Sequence, residues 1–192
     1  MIKLVVGVGN PGPEYELTRH NIAWLVMSCM PSIENNNWKN KFKGEYTDAT
    51  IDGEKVYFLK PMTYMNLSGE STQPLMHFFK IKPSELLVIH DEVDLPFGQI
   101  AFKTGGGLAG HNGLKSIAKC LGDQSFHRLR VGVGRPKHGS TADWVLGKFP
   151  AEQDQELGIV LEETAKAVSF ALKSGIPKAS NKFNRKDFLK ID

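Results

Sequence analysis

The stretch Ile2-Lys3-Leu4-Val5-Val6-Gly7-Val8-Gly9-Asn10-Pro11-Gly12-Pro13-Glu14-Tyr15-Glu16-Leu17-Thr18-Arg19-His20-Asn21 decides the fold. Its first seven residues are apolar on both alternating faces except at Lys3, the pattern of a strand buried on both sides in a sheet that helices cover above and below. Glycine, asparagine and proline then end the strand. From Asn21 to Met30, Ile22, Leu25, Val26 and Cys29 recur at helical spacing, so His20 falls near the amino end of a helix, a place that also holds anions. Ligands bind at the strand ends of α/β sheets, which makes the carboxamide of Asn10 and the imidazole of His20 a candidate reaction centre.

Working outward, Pro31 to Asn40, with Asn35-Asn36-Asn37 at its centre, reads as a surface loop. Glu45 to Ile51 and Lys55 to Lys60 flank Asp52-Gly53, a dipeptide suited to positive φ, and predict a hairpin. Lys60-Pro61 stops the second strand, and a helix is expected near Leu75 to Phe79. Leu86 to His90 is a short apolar strand that delivers Asp91 to its end, and Pro96 to Gly98 turns the chain into a strand reaching Lys103. A glycine loop, Gly105 to Gly113, feeds a helix from Leu114 to Leu121 with Asn112 at its start and Gly122 as its stop. His127 to Val133 is the next strand, and Leu157 to Lys173 is the longest helix, closed by Gly175-Ile176-Pro177. This alternation predicts one α/β domain over residues 1–192: a twisted mixed β-sheet flanked by helices on both faces.

With 192 residues, 41% of them hydrophobic, the chain can bury one substantial core. Its formal charge is only +3, yet Lys103, Lys115, Lys119, Arg128, Arg130, Arg135 and Lys137 face Asp123 alone between residues 103 and 139. Such a stretch can hold an anionic partner. Cys29 and Cys120 are isolated on apolar helical patterns and read as core thiols of a reducing compartment. No run approaches the ~20 apolar residues of a membrane span, and the expected location is the cytoplasm.

Gly7-Val8-Gly9-Asn10-Pro11-Gly12 matches the GxGxxG spelling, with Glu34 near the position of a ribose-binding acid, but fails on physics. Pro11 and Pro13 remove two amides that a pyrophosphate would need, and the helix begins too late. Leu114 separates Gly113 from Lys115, so the second glycine loop is not a phosphate loop of the nucleotide-binding kind. No compact His/Cys cluster or HExxH pair predicts a metal, and neither Ser68 nor Ser116 sits in a nucleophile elbow. There remain His20, Asp91 and three carboxamides, Asn10, Asn66 and Asn112, each at a strand or helix end. Singly they read as turn formers and caps. Together they fit one chemistry: a histidine oriented by a carboxylate takes a proton from water while amides hold a carbonyl and its developing oxyanion.

Five ordered stretches now carry a resemblance. Val8-Gly9-Asn10-Pro11-Gly12-Pro13-Glu14-Tyr15 with Thr18-Arg19-His20-Asn21, Leu59-Lys60-Pro61-Met62-Thr63-Tyr64-Met65-Asn66-Leu67-Ser68-Gly69 and His90-Asp91-Glu92-Val93-Asp94-Leu95-Pro96 with Gly98 are three of them. Gly110-His111-Asn112-Gly113-Leu114-Lys115 and Phe126-His127-Arg128-Leu129-Arg130-Val131-Gly132 complete the set. In this order they resemble bacterial-type peptidyl-tRNA hydrolase. The resemblance implies hydrolysis of the ester joining a peptide or N-blocked amino acid to the 3′ ribose of tRNA, by a cytoplasmic monomer without cofactor or metal. It implies His20 as general base, Asp91 as its orienting acid, and Asn10 as the residue placing substrate or the imidazole. Asn66 and Asn112 become the amides that bind peptide main chain and carbonyl, Tyr15 and Met65 the cleft lining, and Lys103 and Arg130 the clamp on the 5′ phosphate of the acceptor stem. Retention of all five polar site residues favours catalysis over RNA binding alone.

The sequence departs from the resemblance at Leu108-Ala109 and at Ala23, where strain is expected if the backbone there needs positive φ. The segment His138 to Phe149 is expected to form a mobile cover over the RNA end. The basic tail, with Lys178, Lys182, Arg185, Lys186 and Lys190, reads as the solvated face of a terminal helix.

Overall fold

The apolar run at the amino end becomes strand β1 (Leu4–Gly7), with Leu4, Val5 and Val6 wholly withdrawn from solvent. Each such side chain contributes about 1.5–3 kcal/mol, so the strand that carries the Asn10 loop is firmly held. The computed structural model describes residues 1–184 and 186–190, and Arg185 of the basic tail lies outside them.

After β1 come α1 (Ile22–Ser28), β2 (Lys39–Lys41), β3 (Gly44–Ile51), β4 (Glu54–Pro61), α2 (Gly69–Phe78) and β5 (Leu86–Glu92). Then follow β6 (Ile100–Thr104), α3 (Asn112–Leu121), β7 (His127–Gly132), α4 (Thr141–Leu146), α5 (Asp154–Ser174) and α6 (Ile176–Phe183). The seven strands form one mixed sheet in the order β2-β3-β4-β1-β5-β7-β6. β4, β1, β5 and β7 are parallel to their neighbours at the centre, while β3 and β6 run antiparallel beside them. The chain leaves β1 toward β4 and later returns to β5 on the other side, so the strand order reverses at β1. That crevice, outside the carboxyl ends of the strands, is where such sheets take ligands.

Alternation along the strands sorts the core into two layers. Val5, Leu87, Ile89, Leu129 and Val131 pack with residues of α1, α5 and α6, whereas Leu4, Val6, Leu86 and Val88 pack with those of α2 and α3. α2 and α3 approach closely at Gly69, where a Cβ would collide with the Ser116 backbone, and the Gly69 amide donates to Ser116 Oγ at 2.9 Å. This contact draws the start of α2 toward α3, and with it the loops that carry Asn66 and Asn112.

Several elements correct the sequence reading. The loop from Pro31 to Asn40 ends in β2, whose Lys39-Asn40-Lys41 pairs antiparallel with β3. Phe42 and Lys43 form its two-residue turn, both in the left-handed region at φ 59° and 53° where Asn-Gly is the usual choice. Phe42 is held there by packing against Tyr46, Phe78 and Phe79. The expected turn at Asp52-Gly53 does show positive φ at both residues. The helix expected near Leu75 is a full ten residues, α2, and contains Pro74. Cys120 is exposed rather than in the core, because the buried stripe of α3 is Leu114 and Ile117, one face away. Ala23 is an ordinary buried residue of α1, but Ala109 does stand at positive φ, 50°. No helix among the described residues is long and apolar enough to cross a membrane.

Candidate active site

Asp91, next to last in β5, is 4% exposed, an acid that must be paired to remain ionised at such depth. Two imidazoles meet it. His20, on the single 3-10 turn Arg19–Asn21 before α1, brings Nδ1 to 2.9 Å from Oδ1 and 3.0 Å from Oδ2. His111 brings Nε2 to 2.9 Å from Oδ1. Burial by itself would raise the pKa of Asp91, but His111, and then His20, hold the carboxyl well below its ordinary range.

The hydrogen-bond partners fix the tautomers. A carboxylate only accepts, so the ring nitrogens facing it carry protons. His111 Nδ1 accepts from the amides of Gly113 (3.2 Å) and Leu114 (3.4 Å), capping α3, which leaves its proton on Nε2 for Asp91. Both nitrogens of His111 are thereby spent. His20 commits only Nδ1–H, and its Nε2 lone pair stands on the far edge of the ring. The sequence reading placed Asn112 as guard of α3; the cap is His111, and Asn112 is the first helical residue with an exposed side chain. His111 is the functional residue that reading missed. Its only sequence signal was its place in Gly110-His111-Asn112-Gly113.

His90 adds a third ring. It is 2% exposed, donates Nδ1–H to the Asp91 carbonyl at 2.7 Å, and packs edge-on to His111 with ring centroids 4.9 Å apart. Burial first, then the neighbouring His111, push its pKa down to about 3. It is therefore a neutral spacer.

Asn10 is placed by its neighbours and not by the imidazole. Asn21, fully buried, accepts from the Asn10 amide and donates to the Asn10 carbonyl, both at 2.9 Å, and Asn10 Oδ1 accepts from the Met65 amide at 2.7 Å. The side-chain amide of Asn10 is thus tied to the loop bearing Met65 and Asn66, with its NH2 group left for the cleft. Asn10, Tyr15, His20, Met65, Asn66, Asp91 and Asn112 all line one cleft of about 580 Å³, so seven of the nine expected site residues converge. Helix α4 contributes Val145 and Leu146 to the wall. It is anchored beside His20, because Arg19 stacks on Trp144 at 3.6 Å and donates to the Trp144 carbonyl.

Lys103 and Arg130 lie outside this cleft, on the β6–β7 edge. Lys103 pairs in register with Arg128, and Ala101 with Arg130, which puts all three basic side chains on one face. Arg130 stands beside His90 across one strand spacing, bonds Glu92 through Nε at 2.9 Å, and keeps its side chain 24% exposed. Arg128, counted in the basic stretch, is a correction: it is 2% exposed and donates to the carbonyls of Gly105, Gly106 and Gly107. It organises the glycine loop instead of meeting a solvent-borne anion.

Among the described residues, His20, Asp91 and His111 form one group able to hold a metal, with ligand atoms within 4.8 Å. Direct nitrogen–oxygen hydrogen bonds at 2.9 Å already account for this grouping. No serine or cysteine lines the cleft. An imidazole–carboxylate pair and three carboxamides gathered in one cleft, where the strand order of a mixed α/β sheet reverses, is the arrangement of a hydrolytic enzyme.

The chain belongs to the peptidyl-tRNA hydrolase family, whose model matches residues 4–190. It is 48% identical over 184 residues to the peptidyl-tRNA hydrolase of Bdellovibrio bacteriovorus, covering 94% of this chain and 98% of the relative. It is 45% identical over 183 residues to that of Geobacter sp. strain M21, covering 95% and 97%. The crystal structure of peptidyl-tRNA hydrolase from Acinetobacter baumannii superposes with a TM-score of 0.87 at 39% identity, over 97% of this chain and 96% of that one.

Proposed function

We infer that this chain hydrolyses the ester between a peptide, or an N-blocked amino acid, and the 3′ ribose of tRNA, recycling tRNA from aborted translation through water activated at His20. The observation that carries this reading is the buried Asp91 carboxylate clasped by two imidazoles of which only His20 retains a free nitrogen. Nε2 takes a proton as the water oxygen attacks the ester carbon, and Asp91 stabilises the imidazolium that forms. The tetrahedral intermediate expels the ribose oxygen, to which His20 returns the proton. A positioned base contributes about 10²- to 10⁴-fold.

Asn66 and Asn112 hold the peptide main chain and the attacked carbonyl, and a donor to a developing oxyanion contributes about 10²- to 10³-fold. Asn10 fixes the Asn66 loop, with Tyr15 and Met65 lining the cleft. Lys103 and Arg130, two strands and one strand beyond β5, take the 5′ phosphate of the acceptor stem. Phosphate contacts supply affinity while groups around the ester decide what is cleaved. The test is turnover of N-acetylaminoacyl-tRNA by the protein and by His20→Ala. The expected result is release of the blocked amino acid by the first and loss of about 10²-fold or more in the second, with tRNA binding retained. Undiminished turnover by His20→Ala would overturn the assignment of the base.

A further inference from the structure

Beside the cleft lies a second groove of about 550 Å³, lined by Asn40, Lys41, Lys43, Gly44, Met62 and Thr63. Its position follows from the strand order. The ester site sits at β1 and β5; the basic edge lies on one side, at β7 and β6; this groove lies on the other, where β4 ends and β3 begins. With the RNA on the basic edge, as the hydrolase reading has it, the acyl half of the ester is left the opposite side of the cleft. Met62-Thr63-Tyr64-Met65-Asn66 runs unbroken from groove to cleft, and Met62 and Tyr64 expose 40% and 58% of their surfaces along it.

We propose that this groove is a subsite for the peptide segment upstream of the scissile ester, resting on the hydrolase reading above. Two strand spacings, roughly 10 Å, separate it from β1, a distance an extended chain covers in about three residues. Met62 and Tyr64 offer exposed apolar and aromatic surface along the path, against which an extended peptide can lie. Lys41 lies 4.2 Å over the Phe78 ring, while the charge of Lys43 is met by Glu70 at 2.6 Å, which leaves one uncompensated cation at its rim. The subsite therefore favours acidic over basic side chains upstream of the ester. The turn between these lysines is held in left-handed backbone at both residues, and strain of this kind persists only where packing over-determines it.

The test compares N-acetylaminoacyl-tRNA with peptidyl-tRNA carrying a five-residue peptide, on the full chain and on Asn40→Trp, which fills the groove from an exposed position of β2. The expected result is a fall of about tenfold in kcat/KM for the long substrate, with the short one unchanged. In the Lys41→Glu, Lys43→Glu double variant, preference between acidic and basic upstream residues reverses. Equal effects on both substrates, or none on either, overturn the subsite; an equal loss that shrinks as salt rises assigns the groove to RNA instead. Failure of the unaltered protein to cleave the short substrate overturns the hydrolase reading, and the subsite with it.

Discussion

A single carboxylate organises the site, and its neighbours can be told apart by experiment. The hydrogen bonds of His111 point to a role through Asp91, since both of its ring nitrogens are occupied within the protein. Replacing it with alanine is expected to lower kcat about tenfold with little change in KM, and to cost about 1 kcal/mol of stability through the lost cap. Added to His20→Ala, the same change produces no further loss of turnover, because residues acting as a unit are not additive. Independent, multiplying losses would show His111 working on its own. His90 gives a pH signature. Its folded pKa of about 3 lies below its ordinary 6.5, so between those values the unfolded chain binds a proton that the folded one refuses. Stability thus falls as pH drops below 6.5, and at pH 5 the deficit is about 2 kcal/mol. Urea unfolding at pH 5 and pH 7 checks this. His90→Asn, which keeps a donor for the Asp91 carbonyl, flattens the difference. Asp91, whose pKa is also depressed, adds a loss of the same sign as the pH falls below its ordinary 3.8.

At the level of elements, the glycine loop from Gly105 to Gly110 owes its shape to a buried arginine on a neighbouring strand. Arg128→Met keeps most of the apolar stem but leaves the carbonyls of Gly105, Gly106 and Gly107 without their charged donor. The expected cost is about 2–3 kcal/mol in chemical denaturation, and a variant as stable as the parent would refute the role. This arginine also shows where reading a sequence stops. Strands β1 and β5 were legible because burial on both faces writes itself as apolar runs, β7 because Leu129 and Val131 alternate with basic residues, and Asp52-Gly53 because its turn demands those residues. Strand β2 was not: Lys39-Asn40-Lys41 carries no apolar signal and exists only through pairing with β3 and the aromatic packing around Phe42. Most of α2 was hidden behind Gly69, Ser71, Thr72 and Pro74, poor helix formers stabilised by contact with α3. His20, Asp91 and the three asparagines were found because motif and chemistry coincided. His111 and the true place of Arg128 depend on partners brought close only by folding.

Across the whole molecule, the sheet sets three surfaces side by side. The dyad stands at the reversal of strand order, the half-exposed cations stand on the β7–β6 side, and the aromatic and polar groove stands on the β4–β3 side. A modest total charge of +3 is compatible with RNA binding because the fold gathers Lys103, Arg128 and Arg130 on one face of the β6–β7 edge. Each phosphate neutralised by a lysine or arginine releases counterions, so binding should weaken linearly in log salt with a slope of roughly −0.7 to −0.9 per contact. Lys103→Ala is expected to reduce that slope by about one contact and raise KM for peptidyl-tRNA, with kcat preserved because Lys103 lies two strands from Asp91. Arg130→Ala should do the same while also releasing Glu92, whose buried carboxylate then loses its partner; this variant alone should cost stability as well as affinity. Steady-state kinetics from 50 to 200 mM salt distinguish the pair. A slope unchanged by Lys103→Ala would remove the β7–β6 edge from the RNA path.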